Sequence, residues 1–277
     1  MNDWPIGLST GCFYHMSIFE VLDIIRQNGI AILEVCSSRD HLDYHDLDTV
    51  KRAAAEISKR GIQTYSFHAP FGRDIDISAL DDARRERSLA EVLTAVHAAG
   101  ALHARYFVLH PGPEESDRPP AEAYLRRLSN ASGCLGRVAE ACNRYGMRLA
   151  LENMLPHLLF GPMPDLFWLL GSLKTRNIGV CLDTGHAFLA QSLYGQIDNL
   201  GAHLLMMHAA DNHGKEDDHL PPGKGDIEWP RIVAALSRIK FKGPVILELS
   251  GREGDDPAAR LQEVIEARQY LRNLADH

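Results

Sequence analysis

Side chains that can bind a metal recur at regular intervals along this chain. Six of them come where a short apolar run gives way to a polar stretch: His68, His110, Glu152, Asp183, His208 and Glu248. Successive members are 42, 42, 31, 25 and 40 residues apart, close to the length of one strand-loop-helix-loop unit. The spacing therefore predicts a fold of repeated units in which a strand ends at each possible ligand.

The pattern of apolar residues supports such units. Short runs rich in Val, Ile and Leu alternate with longer amphipathic segments, as in βα units around a parallel sheet. Strands are predicted over residues 6–9, 31–35, 63–67, 106–109, 148–151, 179–182, 203–207 and 245–248. Helices are predicted over residues 18–28, 47–60, 83–99, 121–145, 164–173, 187–199, 229–239 and 257–275. The helix over 187–199 is expected to be interrupted at Gly195.

The number of predicted strands decides the architecture. Eight parallel strands close a barrel, and 277 residues with 45% apolar content can bury one large core. No linker or shift in composition divides the chain. We therefore predict an α/β fold, a (β/α)8 TIM barrel, that forms a single domain over residues 1–277.

A barrel would bring the regularly spaced residues together. The active site of a TIM barrel lies at the carboxyl ends of its strands, so all six residues would meet at one mouth. Three further candidates follow strand ends closely: His186, Asp217 and His219. Imidazole and carboxylate ligands together favour zinc or manganese, and nine ligands exceed the need of one ion. We expect a divalent metal centre of one to three ions.

Each candidate ligand has a plainer alternative role. A single His or acid at a strand end is more often a structural hydrogen-bonding group than a ligand, but six consecutive strands ending this way is hard to obtain by chance. Glu152 and Glu248 each follow an apolar run, where an unpaired carboxylate would be costly. A metal ion is the simplest partner for both glutamates.

Some residues near the predicted mouth could contact a substrate. Phe13, Tyr14 and Phe71 follow strand ends and could form the wall of an apolar pocket. Lys224 could meet an anionic substrate, although its Gly-Lys-Gly setting lacks the spacing of a phosphate-binding loop. The alternative for this segment is a rigid turn that fixes His219 above the barrel.

Charge and composition limit the partners. The net charge is −8 and no run of Lys and Arg occurs, which argues against a nucleic-acid partner. Bound metal ions would add positive charge that a residue count misses, so such a partner is not excluded. No apolar stretch has the length of a membrane span and the N-terminus lacks the pattern of a signal peptide, so we expect a cytoplasmic protein without a membrane partner. The five cysteines form no Cys-x-x-Cys motif and indicate neither a disulfide framework nor a thiolate zinc site. The oligomeric state stays open.

The motifs taken together resemble one superfamily over nearly the whole chain. They are Phe67-His-Ala-Pro-Phe71, Leu109-His-Pro-Gly112, Leu151-Glu-Asn153, Cys181-Leu-Asp-Thr-Gly-His186, His208-Ala-Ala-Asp211, Asp217-Asp-His219 and Ile246-Leu-Glu248. This set is similar to that of the xylose isomerase-like TIM barrels. That superfamily includes sugar and sugar-phosphate isomerases and epimerases, and also the endonuclease IV group of AP endonuclease family 2.

The isomerase and epimerase branch implies one divalent ion. Its four ligands match Glu152, Asp183, His208 and Glu248, and the two glutamates would act as catalytic residues that move a proton at a substrate carbon. The segment 220–229 also resembles this branch. The arginine that these epimerases often carry after the matching histidine is missing, and Lys215 lies in that region.

The endonuclease IV branch implies three zinc ions held by nine ligands. Every one of the nine has a match here, in three groups: His68, His110 and Glu152; Glu152, Asp183, His208 and Glu248; and His186, Asp217 and His219. Against this branch, the segment 36–46 is acidic where such nucleases carry basic and aromatic residues that contact DNA.

The sequence therefore predicts a metal-dependent isomerase or epimerase of a small sugar, sugar phosphate or polyol-like substrate. The alternative is a multinuclear zinc phosphodiesterase of the endonuclease IV type that acts on abasic DNA. A metal-binding barrel without catalysis is a third possibility.

Overall fold

Eight parallel strands form a closed barrel in the computed structural model, which describes residues 4–276. The strands are β1 (Ile6–Ser9), β2 (Ile32–Cys36), β3 (Gln63–His68), β4 (Tyr106–Leu109), β5 (Arg148–Glu152), β6 (Ile178–Asp183), β7 (Leu204–Ala209) and β8 (Val245–Leu247). Each strand pairs with its neighbours in sequence, and β8 pairs with β1 to close the barrel. The predicted (β/α)8 TIM barrel is confirmed. Residues 1–3 and 277 of the predicted domain lie outside the described residues.

Helices surround the barrel. Within the described residues they are α1 (Ile18–Gln27), α2 (Arg39–Leu42), α3 (Leu47–Lys59), α4 (Asp82–Ala101), α5 (Ala121–Arg144), α6 (Met163–Ser172), α7 (Thr184–Leu189), α8 (Leu193–Leu200), α9 (Trp229–Arg238) and α10 (Pro257–Asp276). Local sequence sets where several of them begin. Asp46 and Asp81 accept hydrogen bonds from the free N–H groups of α3 and α4, while Ser17 and Glu20 form a capping box at α1.

The helix predicted over 187–199 is wrong in its bounds. It is two helices, α7 and α8, and Gly195 lies within α8 rather than at the break. The carboxylate of Asp183 accepts a hydrogen bond from the N–H of His186, which starts α7 directly after β6. Gln191, with a φ of 53°, ends that short helix before α8 begins.

The barrel interior has an apolar layer below a polar one. Side chains alternate along a regular strand, so every second residue faces inward except where the pairing is irregular, as at Leu205 and Met206 of β7. The apolar layer comprises Val108, Ala150, Cys181, Leu205, Met206 and Ile246, all buried. Glu34, Glu152, Asp183 and His208 follow two residues after inward-facing positions, nearer the carboxyl ends. A packed core thus closes the barrel beneath the polar residues of the mouth.

Two irregularities in strand pairing adjust which residues face inward. The register shifts between Leu33 and Glu34 where β2 meets β3, so that Glu34 pairs with Ser66. A second shift lies between Val180 and Cys181 where β6 meets β7. Such bulges re-aim side chains and are frequent beside active sites.

The main hydrophobic core lies between the strands and the surrounding helices. The largest fully buried side chain there is Trp229, at the start of α9. None of the helices in the described part of the chain is long and apolar enough to cross a membrane.

Candidate active site

The six regularly spaced residues meet at the carboxyl ends of the strands. His68, Glu152 and Asp183 are the last residues of β3, β5 and β6, and His208 lies one residue before the end of β7. His110 and Glu248 directly follow β4 and β8. The three further candidates lie beside them: His186, Asp217 and His219. The fold thus brings all nine predicted ligands to one mouth.

Glu152 occupies the centre of this group and faces two sets of imidazoles. Its Oε2 atom lies 3.1 Å from Nε2 of His68 and 3.5 Å from Nε2 of His110. Its Oε1 atom lies 3.1 Å from Nδ1 of His208. One carboxylate therefore has an oxygen available to each of two neighbouring ligand groups.

Three groups of possible ligands have donor atoms within 4.8 Å of one another. They are His68, Glu152 and His208; Glu152, Asp183, His208 and Glu248; and His186, Asp217 and His219. In the second group, which we call the core group, Nδ1 of His208 lies 2.7 Å from Oε2 of Glu248. In the third, Oδ2 of Asp217 lies 3.2 Å from Nε2 of His186 and 3.0 Å from Nε2 of His219.

Unpaired oxygens in these groups fit a cation. Asp183 Oδ2 and Asp217 Oδ1 are buried and have no hydrogen-bond partner among the described residues. Buried carboxylate oxygens without donors are costly, and a bound metal ion would satisfy them. The mixture of imidazole nitrogens and carboxylate oxygens suits zinc or manganese.

Burial and pairing control the charge of the acids. Burial alone would raise the pKa of Glu152, but the adjacent His208 imidazole holds that pKa well below its usual range. For Glu248, His208 likewise overcomes burial and lowers the pKa to about 2. Burial dominates at Asp183 and raises its pKa to about 6, although His186 opposes the shift. Two ionised glutamates therefore flank a less acidic aspartate.

The histidines show the reciprocal effect. Burial disfavours the imidazolium of His68, but the hydrogen bond to Glu152 outweighs it and raises the pKa to about 9. Asp217 similarly raises the pKa of His219 to about 10 against the effect of burial. Burial also disfavours the imidazolium of His208, but the neighbouring groups, among them the carboxylates of Glu248, Glu34 and Glu152, raise its pKa well above its usual value. Without a metal the mouth is a set of imidazolium–carboxylate pairs.

Backbone carbonyls orient three of the histidine rings. The Nδ1 atoms of His68, His186 and His219 lie 2.9, 2.8 and 3.1 Å from carbonyl oxygens of Ala69, Asn153 and Glu248. A carbonyl oxygen only accepts, so each Nδ1 carries a proton and Nε2 is the atom left for a metal.

Asn153 fixes the relation between β5 and β6 at the mouth. Its side chain accepts a hydrogen bond from the N–H of Asp183 at 2.8 Å and donates to the carbonyl of Asp183 at 3.1 Å. Its own carbonyl orients His186. Asn153 therefore positions Asp183 through its side chain and His186 through its backbone carbonyl.

Asp211 holds the segment that carries Asp217 and His219. Its buried carboxylate accepts four hydrogen bonds of 2.8–3.0 Å, from the N–H groups of Asn212, Gly223 and Ile227 and from the indole of Trp229. The predicted rigid turn around Gly-Lys-Gly is thus built on one anionic side chain.

A cavity of about 200 Å³ opens directly above the ligands. It is lined by His68, Phe71, His110, Glu114, Glu152, Met154, Leu155, Leu158, His186, Asp217, His219 and Glu248. The lining combines the apolar side chains of Phe71, Met154, Leu155 and Leu158 with acids and imidazoles. Among the described residues, no Lys or Arg lines it.

The predicted substrate contacts divide into two sets. Phe71 is 48% exposed and lines the cavity. Phe13 instead packs in the hydrophobic core, because the turn after β1 directs its ring inward, at 4% exposure. Tyr14 is exposed beside His15, and Lys224 is exposed on its loop. Among the residues that the structure describes, these last three are absent from the cavity wall.

Sequence reasoning missed Glu34. This residue is fully buried inside the barrel, and its carboxylate contacts both Ser66 and His208. A signal for it existed in the β2 segment Ile32–Cys36, where an acid interrupts an apolar run in the middle of the strand.

Comparisons with known proteins agree with this geometry. The family model of the xylose isomerase-like TIM barrel matches residues 22–274. The D-psicose 3-epimerase of Agrobacterium fabrum is 25% identical over 236 residues, which cover 82% of this chain and 77% of the epimerase. Sugar epimerases are thus among the relatives of this chain.

Solved structures share the fold. A D-psicose 3-epimerase from Clostridium cellulolyticum H10 superposes with a TM-score of 0.83 at 17% identity, covering 98% of this chain and 99% of the other. The IOLI protein, solved with a zinc atom, superposes with a TM-score of 0.80 at 17% identity, covering 98% of each chain. The matched family model spans most of the sequence, and the chain belongs to the xylose isomerase-like TIM barrel family.

Proposed function

We propose that this protein is a divalent-metal-dependent isomerase or epimerase that acts on a small, uncharged sugar or polyol-like compound. The observation that carries the proposal is that Glu152 and Glu248 each belong to a possible metal site and also face the cavity. Both belong to the core group with Asp183 and His208, and both line the cavity where a substrate would lie. Its relatives among the sugar 3-epimerases support the same reaction class.

Four residues of the chain would bind a metal ion, and two of them would also transfer protons. Glu152, Asp183, His208 and Glu248 would hold a divalent ion, zinc or manganese. When bound, that ion would supply Lewis acidity at the carbonyl and hydroxyl oxygens of the sugar. Isomerisation or epimerisation also requires a base and an acid at a substrate carbon. Glu152 and Glu248 enter the cavity from different strands, so one carboxylate can take the proton and the other can return one.

The charge of the cavity favours an uncharged substrate. Glu114 and Asp217 add acidic groups to its wall, and no Lys or Arg among the described residues balances them. A phosphate dianion would meet carboxylates there. Lys224, which the sequence suggested for an anionic substrate, is outside the wall. The apolar lining residues, which include Phe71 and Met154, are suited to the C–H faces of a sugar.

An assay with paired substrates tests this function. The manganese- or zinc-loaded protein should convert a free ketose such as D-fructose or D-tagatose, while the corresponding sugar phosphate should react poorly. Glu152→Gln and Glu248→Gln should each lower kcat by about 10²–10⁴-fold, because the amide can still coordinate but cannot take a proton.

Glu140→Gln on the exposed face of α5 is the matched control and should leave the rate unchanged. Full activity in either active-site variant would contradict the assigned roles. Conversion of phosphates in preference to free sugars would contradict the substrate class.

A zinc phosphodiesterase is the second candidate, and one observation favours it. The three ligand groups together contain eight of the nine residues expected for such enzymes, and His110 lies 3.5 Å from Glu152 beside them. Zinc-dependent cleavage of abasic DNA, with no conversion of any sugar, would establish this candidate instead. Metal binding with neither activity would favour the third possibility, a non-catalytic barrel.

A further inference from the structure

We propose that Glu34 is a positioning residue that holds His208 in the ring orientation and tautomer needed to bind the core metal ion. The inference rests on the metal centre of the proposed function and adds a residue to it. Glu34 belongs to none of the three ligand groups, and it is not among the residues lining the cavity in the described part of the chain. Its effect would therefore pass through His208.

The contacts of His208 set it apart from the other histidines of the mouth. Its Nε2 atom lies 3.0 Å from Oε2 of Glu34, while its Nδ1 atom faces Glu152 at 3.1 Å and Glu248 at 2.7 Å. His68, His186 and His219 are oriented by backbone carbonyls through Nδ1. At His208 the roles of the ring nitrogens are reversed, so Nδ1 is the ligand atom and Nε2 needs an acceptor.

The carboxylate of Glu34 provides that acceptor. The hydroxyl of Ser66 donates to the same Oε2 atom at 2.7 Å, which leaves the carboxylate fixed between the two partners. Glu34, Ser66 and His208 are all fully buried, so water does not compete for these hydrogen bonds. An ionised carboxylate accepts from Nε2–H and leaves the lone pair on Nδ1.

Features of the fold bring Glu34 and His208 into contact. Glu34 and His208 are 174 residues apart and reach each other across the barrel interior. The register shift between Leu33 and Glu34 brings Glu34 opposite Ser66 rather than the preceding residue of β3. A carboxylate partner also makes the imidazole a stronger ligand than a carbonyl does.

Metal affinity tests the inference without using activity. Glu34→Leu removes the acceptor at similar size and should weaken binding of Co²⁺, measured by competition with a chelator, by about 10–100-fold. It should also change the visible absorption spectrum of the bound Co²⁺. Glu34→Gln retains an oxygen acceptor without the charge, so its affinity should lie between those of Glu34→Leu and the unaltered protein.

Two further measurements separate positioning from a general structural role. Thermal unfolding of the metal-free variants reports any loss of the fold, and Ser66→Ala removes one hydrogen bond to Glu34 without touching His208. Ser66→Ala should bind Co²⁺ more weakly than the unaltered protein and more tightly than Glu34→Leu. If Glu34→Leu does not fold, Glu34→Gln and Ser66→Ala must each weaken binding by themselves.

Unchanged affinity and an unchanged Co²⁺ spectrum in the folded variants would overturn the inference. Equal loss of affinity in Glu34→Gln and Glu34→Leu, matched by equal loss of thermal stability, would also overturn it, because the effect would then be one of folding. Failure of the unaltered protein to bind any divalent ion would instead reject the metal centre itself.

Discussion

At single residues of the mouth, protons and a metal ion compete for the same lone pairs. The pKa of His68 is raised to about 9 and that of His219 to about 10, so both are imidazolium at pH 7 without a metal. The pKa of Glu248, about 2, keeps its carboxylate ionised. An imidazole must lose its proton before it can bind a metal.

Metal binding should therefore release protons. At pH 7, uptake of an ion by His208 and its neighbours should release at least one proton per ion. Because the pKa of His208 is raised well above its usual value, the affinity for the core ion should rise as the pH rises above 7. For ions bound through His68 or His219, the affinity should level off only above about pH 9–10. Calorimetric titration in two buffers of different ionisation enthalpy measures the number of protons released.

Variants at two ligands serve as the control for this titration. Asp183→Ala should remove the core ion, whereas His219→Ala should retain it and lose only ions of the third ligand group. A heat of binding independent of the buffer would contradict the proton release. Loss of all metal from His219→Ala would show that the ligands are divided wrongly among the sites.

Among single residues of the site, those at strand ends were easier to predict from the sequence than those inside the barrel. The six strand-end candidates could be predicted to lie together because strand ends in a barrel converge, whatever their separation along the chain. Glu34 lies two residues before the end of β2, and its partner His208 is 174 residues away. Such a contact depends on strand register across a closed barrel, which local patterns do not encode.

Among the elements, the segment between β7 and α9 contributes most to the site beyond the strands. The carboxylate of Asp211 stabilises this segment by accepting four hydrogen bonds, and the segment carries Asp217 and His219. The β6–α7 junction shows the same principle, since Asp183 both starts a helix and faces the core group. The sequence could not predict α7 because its start depends on this cap and not on apolar periodicity.

Asp211→Ala should destabilise this segment strongly. The substitution leaves four donors without an acceptor, three of them buried, so the free energy of unfolding should fall by about 3 kcal/mol or more. Trp229→Phe removes one donor and keeps most of the packing, and should cost about 1–2 kcal/mol. Guanidinium denaturation of the metal-free protein measures both values. A change below about 0.5 kcal/mol in Asp211→Ala would contradict the role of this carboxylate.

At the scale of the whole molecule, barrel closure turns a periodic list of residues into a site. His68 and Glu248, 180 positions apart, line one cavity, as the architecture predicted from the spacing requires. Eight apolar runs alternating with helices made the fold predictable. The lining of the cavity was not, because it depends on how the loops after each strand pack. Phe13 and Tyr14 illustrate this point, since both follow the end of β1 without lining the cavity.

The fate of hydrogen at carbon tests the central claim most directly. The metal-loaded protein is incubated in D₂O with free ketoses, and the sugars are followed by NMR. Proton transfer by Glu152 and Glu248 predicts deuterium at the carbon that changes in the product, and its loss in either Glu→Gln variant. Phosphodiester hydrolysis leaves every carbon-bound hydrogen in place. Efficient zinc-dependent cutting of abasic DNA, with no deuterium entering any sugar, would contradict the account.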